Sequence, residues 1–120
     1  MTARLVAGIG GWFDHYGVHA DDDGHVRWSH AENVRLVDEA TVTPSEEAWE
    51  RFWATLDDAG VWDWAARYEP DSPVMDGTSW MLEAEHDGRR VRSSGSNAYP
   101  PRFADVCQAV AALSGGRTFR

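Results

Sequence analysis

The sequence predicts one α+β domain: an antiparallel sheet of about five strands, including two hairpins, with two helices packed on one face. Three observations support this prediction. Short segments alternate apolar and polar residues, which is typical of strands with one buried face. Two longer segments carry a single apolar stripe at helical spacing. With 120 residues, the chain has the length of one domain, so residues 1–120 are expected to share one core.

The first hairpin is predicted from residues 12–20 and 25–29. A three-residue loop that ends at Gly24 aligns the apolar residues of both strands on one face, and glycine suits the left-handed position that such loops need. The resulting cross-strand pairs are Ala20 with Val26 and Val18 with Trp28. The residues predicted to face the core are Trp12, Tyr16, Val18, Ala20, Val26 and Trp28, and those predicted to face away are Phe13, His15, His19 and Arg27.

The next segment predicts a strand followed by a helix. Within residues 34–42, the alternating apolar positions are Val34, Leu36, Ala40 and Val42. The helix is expected to use Thr43 as its cap and Pro44 at its first position, with Glu46 completing a capping box. Gly60 is expected to end it. Its apolar stripe is Trp49, Phe52, Trp53 and Leu56, and Glu47 and Arg51 are expected to pair on its outer side.

Residues 61–68 are compatible with two structures. Trp62 and Trp64 alternate as in a strand, whereas Ala65-Ala66-Arg67 suits a helical turn. Both alternatives stay open from the sequence. Residues 69–77 contain two prolines and three acidic residues, which predicts a loop.

A second hairpin and a second helix complete the predicted fold. Residues 79–86 and 89–94 flank Asp87-Gly88, a dipeptide typical of tight hairpin turns. The predicted cross-strand pairs are Glu85 with Arg90, Glu83 with Arg92, Ala84 with Val91 and Leu82 with Ser93. A helix is predicted over residues 102–113, with one apolar side and a stop at Gly115-Gly116.

The charge of the chain limits its partners. It has 20 acidic and 11 basic residues, a formal net charge of −9, and every basic residue is arginine. A strongly acidic surface repels nucleic-acid phosphates and anionic membranes, so we expect neither as a partner. A basic protein surface is the macromolecular partner that this charge favours. The sequence leaves the oligomeric state undetermined.

The single cysteine and the absence of long apolar segments bear on location. With Cys107 alone, no intrachain disulfide can form, which suits a reducing compartment. The sequence has neither a run typical of signal peptides nor a segment of transmembrane length. We therefore expect a cytoplasmic protein. Cys107 itself is predicted to be a small buried residue of the second helix, not a nucleophile.

One pattern in the C-terminal two-thirds has a counterpart in other proteins. It consists of W-x-x-F-W from Trp49, G-V-W-x-W from Gly60, D-G-T-S-W from Asp76 and S-G-S-N-A-Y-P from Ser94. This pattern resembles a family of small bacterial proteins to which no activity is attached, and it covers residues 43–113. The resemblance implies a recurring domain and assigns no role to any residue.

Tryptophans and acidic residues supply the first candidate sites. Seven tryptophans suit either a core of large side chains or a binding platform. Trp62, Asp63 and Trp64 could line a groove, since aromatic rings beside acids hold sugar rings or basic peptides. The candidate acidic patch for a basic protein is the stretch from Asp57 to Asp76, which contains Asp57, Asp58, Asp63, Glu69, Asp71 and Asp76. The structural alternative is a solvated face whose acids cap helices and form turns.

Two further candidate sites are weighed in the same way. Ser96 and Asn97 lie in a polar loop before the second helix, which suits either a ligand loop or a plain connection. His15 and His19 share a predicted strand face, so they are candidate metal ligands, although their spacing is not a known ligand pattern. The segment Gly8-Ile9-Gly10-Gly11 lacks the helix and lysine of a phosphate loop. No cofactor is expected.

Three hypotheses for function follow from these observations. The leading one is a non-enzymatic domain that binds another protein through acidic and aromatic surface, as an inhibitor or immunity-type protein does. The second is a small-ligand or glycan-binding domain with a groove formed by Trp62, Asp63 and Trp64. The third is a hydrolase with an acidic pair or a histidine-bound metal. No residue is assigned a catalytic role.

Overall fold

The computed structural model describes residues 3–72 and 77–120. These residues form an α+β fold with two helices and a seven-stranded mixed sheet. The strands in chain order are β1 (Arg4–Gly10), β2 (Asp14–Ala20), β3 (Val26–Glu32), β4 (Arg35–Val42), β5 (Arg67–Tyr68), β6 (Ser79–His86) and β7 (Arg89–Ser96). The helices are α1 (Glu46–Ala59) and α2 (Phe103–Leu113). The strand order across the sheet is β4-β3-β2-β1-β6-β7-β5.

The α+β class with two helices is as predicted, but the sheet has seven strands instead of about five, and one of its pairings is parallel. Strand β1, absent from the prediction, lies between β2 and β6 at the centre of the sheet. Its buried residues Leu5, Ala7 and Ile9 alternate with Val6 and Gly8, which provide little polar contrast, so the alternation was hidden. Strand β5 has only two residues and runs parallel to β7, and so short a segment has no detectable period.

The first hairpin has the predicted register. Ala20 pairs with Val26 and Val18 pairs with Trp28. The prediction that Trp12 faces the core is wrong, because its side chain is 84% exposed. Strand β2 begins only at Asp14, and Trp12 lies in the turn that joins it to β1.

A β-bulge in β4 changes which side chains of the strand predicted at residues 34–42 face the core. The pairs His30–Asp38 and Ala31–Leu36 leave Val37 as an extra residue in β4. An extra residue reverses the face on which the preceding side chains lie. Leu36 therefore does not share the inner face of Ala40 and Val42, and it is 55% exposed.

Helix α1 is present as predicted, but Ser45 is its cap and Glu46 its first residue, so the predictions of Pro44 at the first position and of Glu46 in a capping box are wrong. The side chain of Ser45 accepts a hydrogen bond from the Ala48 N–H at 3.0 Å. The prediction of Thr43 as the cap is wrong, since its hydroxyl is hydrogen-bonded to His25 Nδ1 at 2.8 Å instead. Gly60 ends the helix in the left-handed conformation, as predicted. The other confirmed features are the buried residues Phe52, Trp53 and Leu56 and the Glu47–Arg51 ion pair at 3.8 Å.

The remaining elements follow the predictions closely. Residues 61–68 contain both kinds of structure, but at other positions than the sequence suggested. The helical turn is a 3₁₀ turn at Val61–Asp63, where Trp62 suggested a strand, and the strand β5 begins at Arg67, where the sequence suited a helical turn. All four predicted cross-strand pairs of the second hairpin are present. Helix α2 begins one residue later than predicted, at Phe103.

Both helices cover the same face of the sheet. Their buried side chains form one cluster with the inward residues of β1, β2, β3, β6 and β7. The other face of the sheet is open, and alternating charged residues such as Glu83 and Arg92 lie on it. Among the described residues, neither helix combines the length and apolarity needed to cross a membrane.

Candidate functional site

The large exposed apolar side chains are concentrated at one end of the sheet. Five of them lie in the β1–β2 connection, in the β3–β4 turn and at the start of β4: Trp12, Phe13, Val34, Leu36 and Val37. We call this group the apolar tip. The two connections touch, because the Asn33 N–H donates to the carbonyl oxygen of Phe13 at 2.8 Å. Solitary exposed apolar residues are ordinary on protein surfaces, whereas a contiguous group of this kind marks an interaction site.

The β3–β4 turn, which contributes Val34 to the apolar tip, has an unfavourable backbone conformation. Asn33 and Val34 both have positive φ, 48° and 61°, and two such residues form the tight turn that prefers Asn-Gly. A β-branched residue in this region is disfavoured by about 1–2 kcal/mol. The Val34 side chain is 95% exposed, so packing within the domain does not offset that cost. Strain retained at an exposed apolar residue is typical of functional sites.

Acidic residues surround the apolar tip. Asp14 lies opposite Glu32 at the start of β2, and Asp38 and Glu39 follow the bulge in β4. Arg35 lies opposite Glu32 at the end of the β3–β4 hairpin, and Arg27 of the same hairpin pairs with Asp23. Among the residues that the structure describes, none forms an ion pair with Glu32, Asp38 or Glu39. Asp14 is engaged by His30 Nε2 at 2.8 Å. The tip therefore presents apolar groups beside three carboxylates that form no ion pair within the described part of the chain.

The acidic patch proposed from the sequence is arranged differently. Asp57 accepts hydrogen bonds from the Trp62 indole and from Arg89, both at 2.7 Å. Asp58 accepts one from Arg102 at 3.0 Å. These two carboxylates are thus engaged within the domain. Asp63 and Asp71 of the same stretch are exposed, and Asp76 lies outside the described residues.

Trp62 and Trp64 belong to different aromatic clusters. The ring of Trp62 stacks 6.3 Å from that of Trp53 and lies under the Arg89 guanidinium at 4.8 Å. Trp64 contacts Trp80 edge-on, with ring centroids 5.9 Å apart. Asp63, between them, is exposed. The structure therefore does not join these two rings in one groove.

The polar loop after β7 is hydrogen-bonded to the segment that precedes β6. The Asn97 side-chain oxygen accepts from the Thr78 N–H at 2.9 Å, and the Asn97 N–H donates to the Thr78 carbonyl at 2.9 Å. Ser96 is exposed and pairs with Ser79 across the hairpin. Both polar groups of Asn97 named here are thus used to tie two segments of the domain together.

The two candidate metal ligands lie on the open face of β2. His15 pairs with Gly10, and His19 contacts Asp21 at 3.3 Å. Within residues 3–72 and 77–120, no three side chains of the types that bind metals come together. The described residues near His15 and His19 therefore offer an incomplete ligand set.

A cavity that sequence reasoning missed lies between β1, the β2–β3 loop and α1. Its volume is about 460 Å³. Its lining includes Trp49 and Trp53, the acidic residues Asp21, Asp22, Glu46, Glu50 and Asp57, and the basic residues Arg4 and His86. These residues come from β1, the β2–β3 loop, α1 and β6, so only the fold brings them together.

The apolar tip was also missed, although one signal was present in the sequence. Asn33-Val34 has the asparagine of a tight turn without its usual glycine, and exposed apolar residues flank it.

No protein-family model matches the chain, and no curated protein has significant sequence similarity to it.

Proposed function

We propose that this protein is a non-enzymatic binding domain that engages a basic protein partner through the apolar tip and the acidic residues around it. The observation that carries the proposal is the exposure of five large apolar side chains on two touching connections and the adjoining start of β4. Inhibitor and immunity-type proteins have this size and charge. The cytoplasmic location expected from the sequence is part of the same proposal.

The apolar part of the tip would supply most of the binding free energy. Large aromatic side chains bury about 150–250 Å² each, and apolar burial is worth about 25 cal/mol per Å². Covering Trp12 and Phe13 would therefore contribute several kcal/mol. Tryptophan is among the residue types that dominate the energetics of protein interfaces.

The acidic part of the tip would select the partner. Glu32, Asp38 and Glu39 have no ion pair among the described residues, so a basic partner can pair with them without first breaking internal contacts. By contrast, Asp57 and Asp58 would have to give up Arg89 and Arg102. Exposed charge pairs between proteins mainly raise the association rate and are screened by salt.

The test is a capture experiment from the native lysate with tagged wild type and matched variants. The variants Trp12→Ala and Leu36→Asp remove or charge the apolar tip, and both side chains are exposed, so the fold should persist. The double variant Asp38→Lys/Glu39→Lys reverses the charge of the tip. Its control, Asp63→Lys/Asp71→Lys, makes the same change of +4 elsewhere on the surface.

We expect one stoichiometric partner with wild type and with the Asp63/Asp71 control, and its loss with each tip variant. Recovery should fall as salt rises from low to physiological concentrations. A partner that all tip variants retain, or that only the Asp63/Asp71 control loses, would contradict binding through the tip.

A second candidate function is the binding of a small cationic or sugar ligand in the cavity between β1 and α1. The observation that favours it is the combination of two indoles with five acidic residues in one cavity, of which Glu46 and Glu50 form no ion pair with a described residue. The His86 imidazole already covers Trp53, with ring centroids 4.3 Å apart, so Trp49 is the ring left for a ligand. Titration of a panel of amines and sugars, followed by tryptophan fluorescence, tests this; a Glu50→Gln variant should weaken binding of a cation only.

A further inference from the structure

The open face of the sheet contains a trough whose floor has no side chains at two adjacent positions, both glycines. Gly8 and Gly17 are direct cross-strand partners in the two central strands, flanked by Met81 and Ser29. The trough has a volume of about 710 Å³ and runs along the sheet to Trp12. Over the two glycines, its floor is the peptide backbone itself.

The fold does not require glycine at these two positions. Neither residue has a positive φ. A Cβ at Gly8 would meet Met81 Cγ at 3.6 Å, an ordinary contact, and one at Gly17 would meet the rotatable Ser29 hydroxyl at 3.1 Å. Gly95 shows the opposite situation, because a Cβ there would overlap the Trp80 indole.

Glycine at such positions weakens the sheet. It has poor strand propensity and adds no side chain to the cross-strand contacts. A strand glycine without a conformational role often marks a place where another molecule approaches the backbone closely. Gly8 and Gly17 therefore point to an occupant that lies flat against the peptide groups.

We propose that the trough receives an aromatic side chain of the partner that binds the apolar tip. This inference rests on the proposed function and deepens it. The trough is continuous with the tip, since Trp12 lines it and Ala31, also in its lining, lies opposite Leu36. A partner seated on the tip can thus reach Gly8 and Gly17 along the same surface.

The chemistry of the lining suits an aromatic ring. Exposed peptide planes offer a flat surface, and Met81 and Trp12 offer the thioether and indole contacts that aromatic rings favour. Among the described residues of the lining, His15 and Tyr16 are the titratable ones, and the others are neutral side chains and glycines. A second copy of this chain would bring the acidic residues around two tips together, so charge repulsion disfavours it as the occupant.

The inference can be tested by NMR with two probe peptides on the full chain. The probes are acetyl-Arg-Tyr-Arg-amide and acetyl-Arg-Ala-Arg-amide, with neutral acetyl-tyrosine-amide as a third. Both arginine peptides should shift amide resonances of residues 32–39. Only the tyrosine peptide should move the Hα resonances of Gly8 and Gly17 upfield by ring current, and it should bind about tenfold more tightly than the alanine peptide.

Variants that fill the floor provide the second arm. Gly8→Val and Gly17→Val should raise the thermal midpoint, because valine favours strands, and should remove the tyrosine-dependent gain in affinity. Thr41→Val adds the same apolar residue elsewhere on the open face and should leave peptide binding unchanged. A lowered midpoint for both glycine variants would mean that the glycines serve the fold, which would overturn the inference.

The outcomes separate this inference from the proposed function. Equal affinity of the two arginine peptides, with shifts confined to the tip, would refute the trough and leave the tip proposal standing. If acetyl-tyrosine-amide bound in the trough as tightly as the tyrosine peptide, the acidic residues would have no part, and the basic partner would be contradicted. Glycine shifts that depend on protein concentration without any peptide would identify a second copy as the occupant and refute the inference.

Discussion

The indole of Trp80 lies directly against Gly95, its cross-strand neighbour, and its N–H donates to the Ala98 carbonyl oxygen at 2.9 Å. Gly77 is held in the same way against the Asn97 side chain. The D-G-T-S-W and S-G-S-N-A-Y-P segments thus meet in space where β6 begins and β7 ends. In this chain, the described residues of the two segments form a structural junction, in which Gly95 and Gly77 leave space for the side chains of Trp80 and Asn97.

The first prediction concerns this junction. Gly95→Ala should destabilise the protein by about 1–3 kcal/mol, because the added methyl group overlaps the Trp80 indole and lies 2.6 Å from the Ala98 oxygen. Gly8→Ala is the control, since its methyl group meets only ordinary contacts. Urea denaturation measures both. Equal midpoints for the two variants would disprove the tight contact.

The second prediction concerns the strained turn of the apolar tip. Val34→Gly should stabilise the protein by about 1 kcal/mol, since it creates the Asn-Gly pair that the turn prefers, and it should weaken partner binding. The control is Gly88→Val in the Asp87-Gly88 turn, where φ is also positive at both residues. That change should destabilise by a similar amount and leave partner binding intact. Thermal unfolding and capture of the partner measure the two effects.

The third prediction concerns the central strand that sequence patterns did not reveal. Leu5→Ala should destabilise by about 2–5 kcal/mol, because Leu5 is fully buried and a cavity would remain. Val6→Ala removes apolar atoms from the neighbouring residue on the open face and should cost clearly less. Chemical denaturation distinguishes them. Similar losses would mean that β1 does not lie with Leu5 inward at the centre of the sheet.

The fourth prediction concerns the single thiol. Burial raises the pKa of Cys107 from 9.0 to about 12. At pH 8, about one thiol in ten thousand is ionised, so a disulfide reagent should react at least about a thousandfold more slowly with the folded protein than with the chain in urea. Rapid reaction of the folded protein, at the rate seen in urea, would show that the thiol is exposed.

The same pKa shift sets a pH dependence of stability. The raised pKa means that the unfolded chain loses the proton first, so the contribution of the neutral thiol is full below about pH 9 and is lost as the pH rises toward 12. The difference in unfolding free energy between wild type and Cys107→Ala should therefore shrink between pH 8 and pH 11. A difference independent of pH would contradict the burial of the thiol.

The sequence alone determined the elements whose signals are local. The stripe of Phe52, Trp53 and Leu56, the stop at Gly60 and the Asp87-Gly88 turn each depend on residues within one or two turns of chain. The register of the first hairpin also followed from its own residues, because a slip by one position would move every apolar side chain to the wrong face. These features needed no knowledge of the rest of the molecule.

Only the tertiary structure decided the features that depend on distant contacts. Strand β1 was identified through its pairing with β2 and β6, since glycine and valine at its outward positions hide its period. Local alternation placed Trp12 in the core and grouped Leu36 with Ala40 and Val42. In the structure, the turn before β2 exposes Trp12, and the bulge at Val37 exposes Leu36. The candidate sites share this origin: the tip joins two separate connections, and the trough joins Gly8 to Gly17. A surface depends on which segments become neighbours, and that choice is made by the packing of the whole chain.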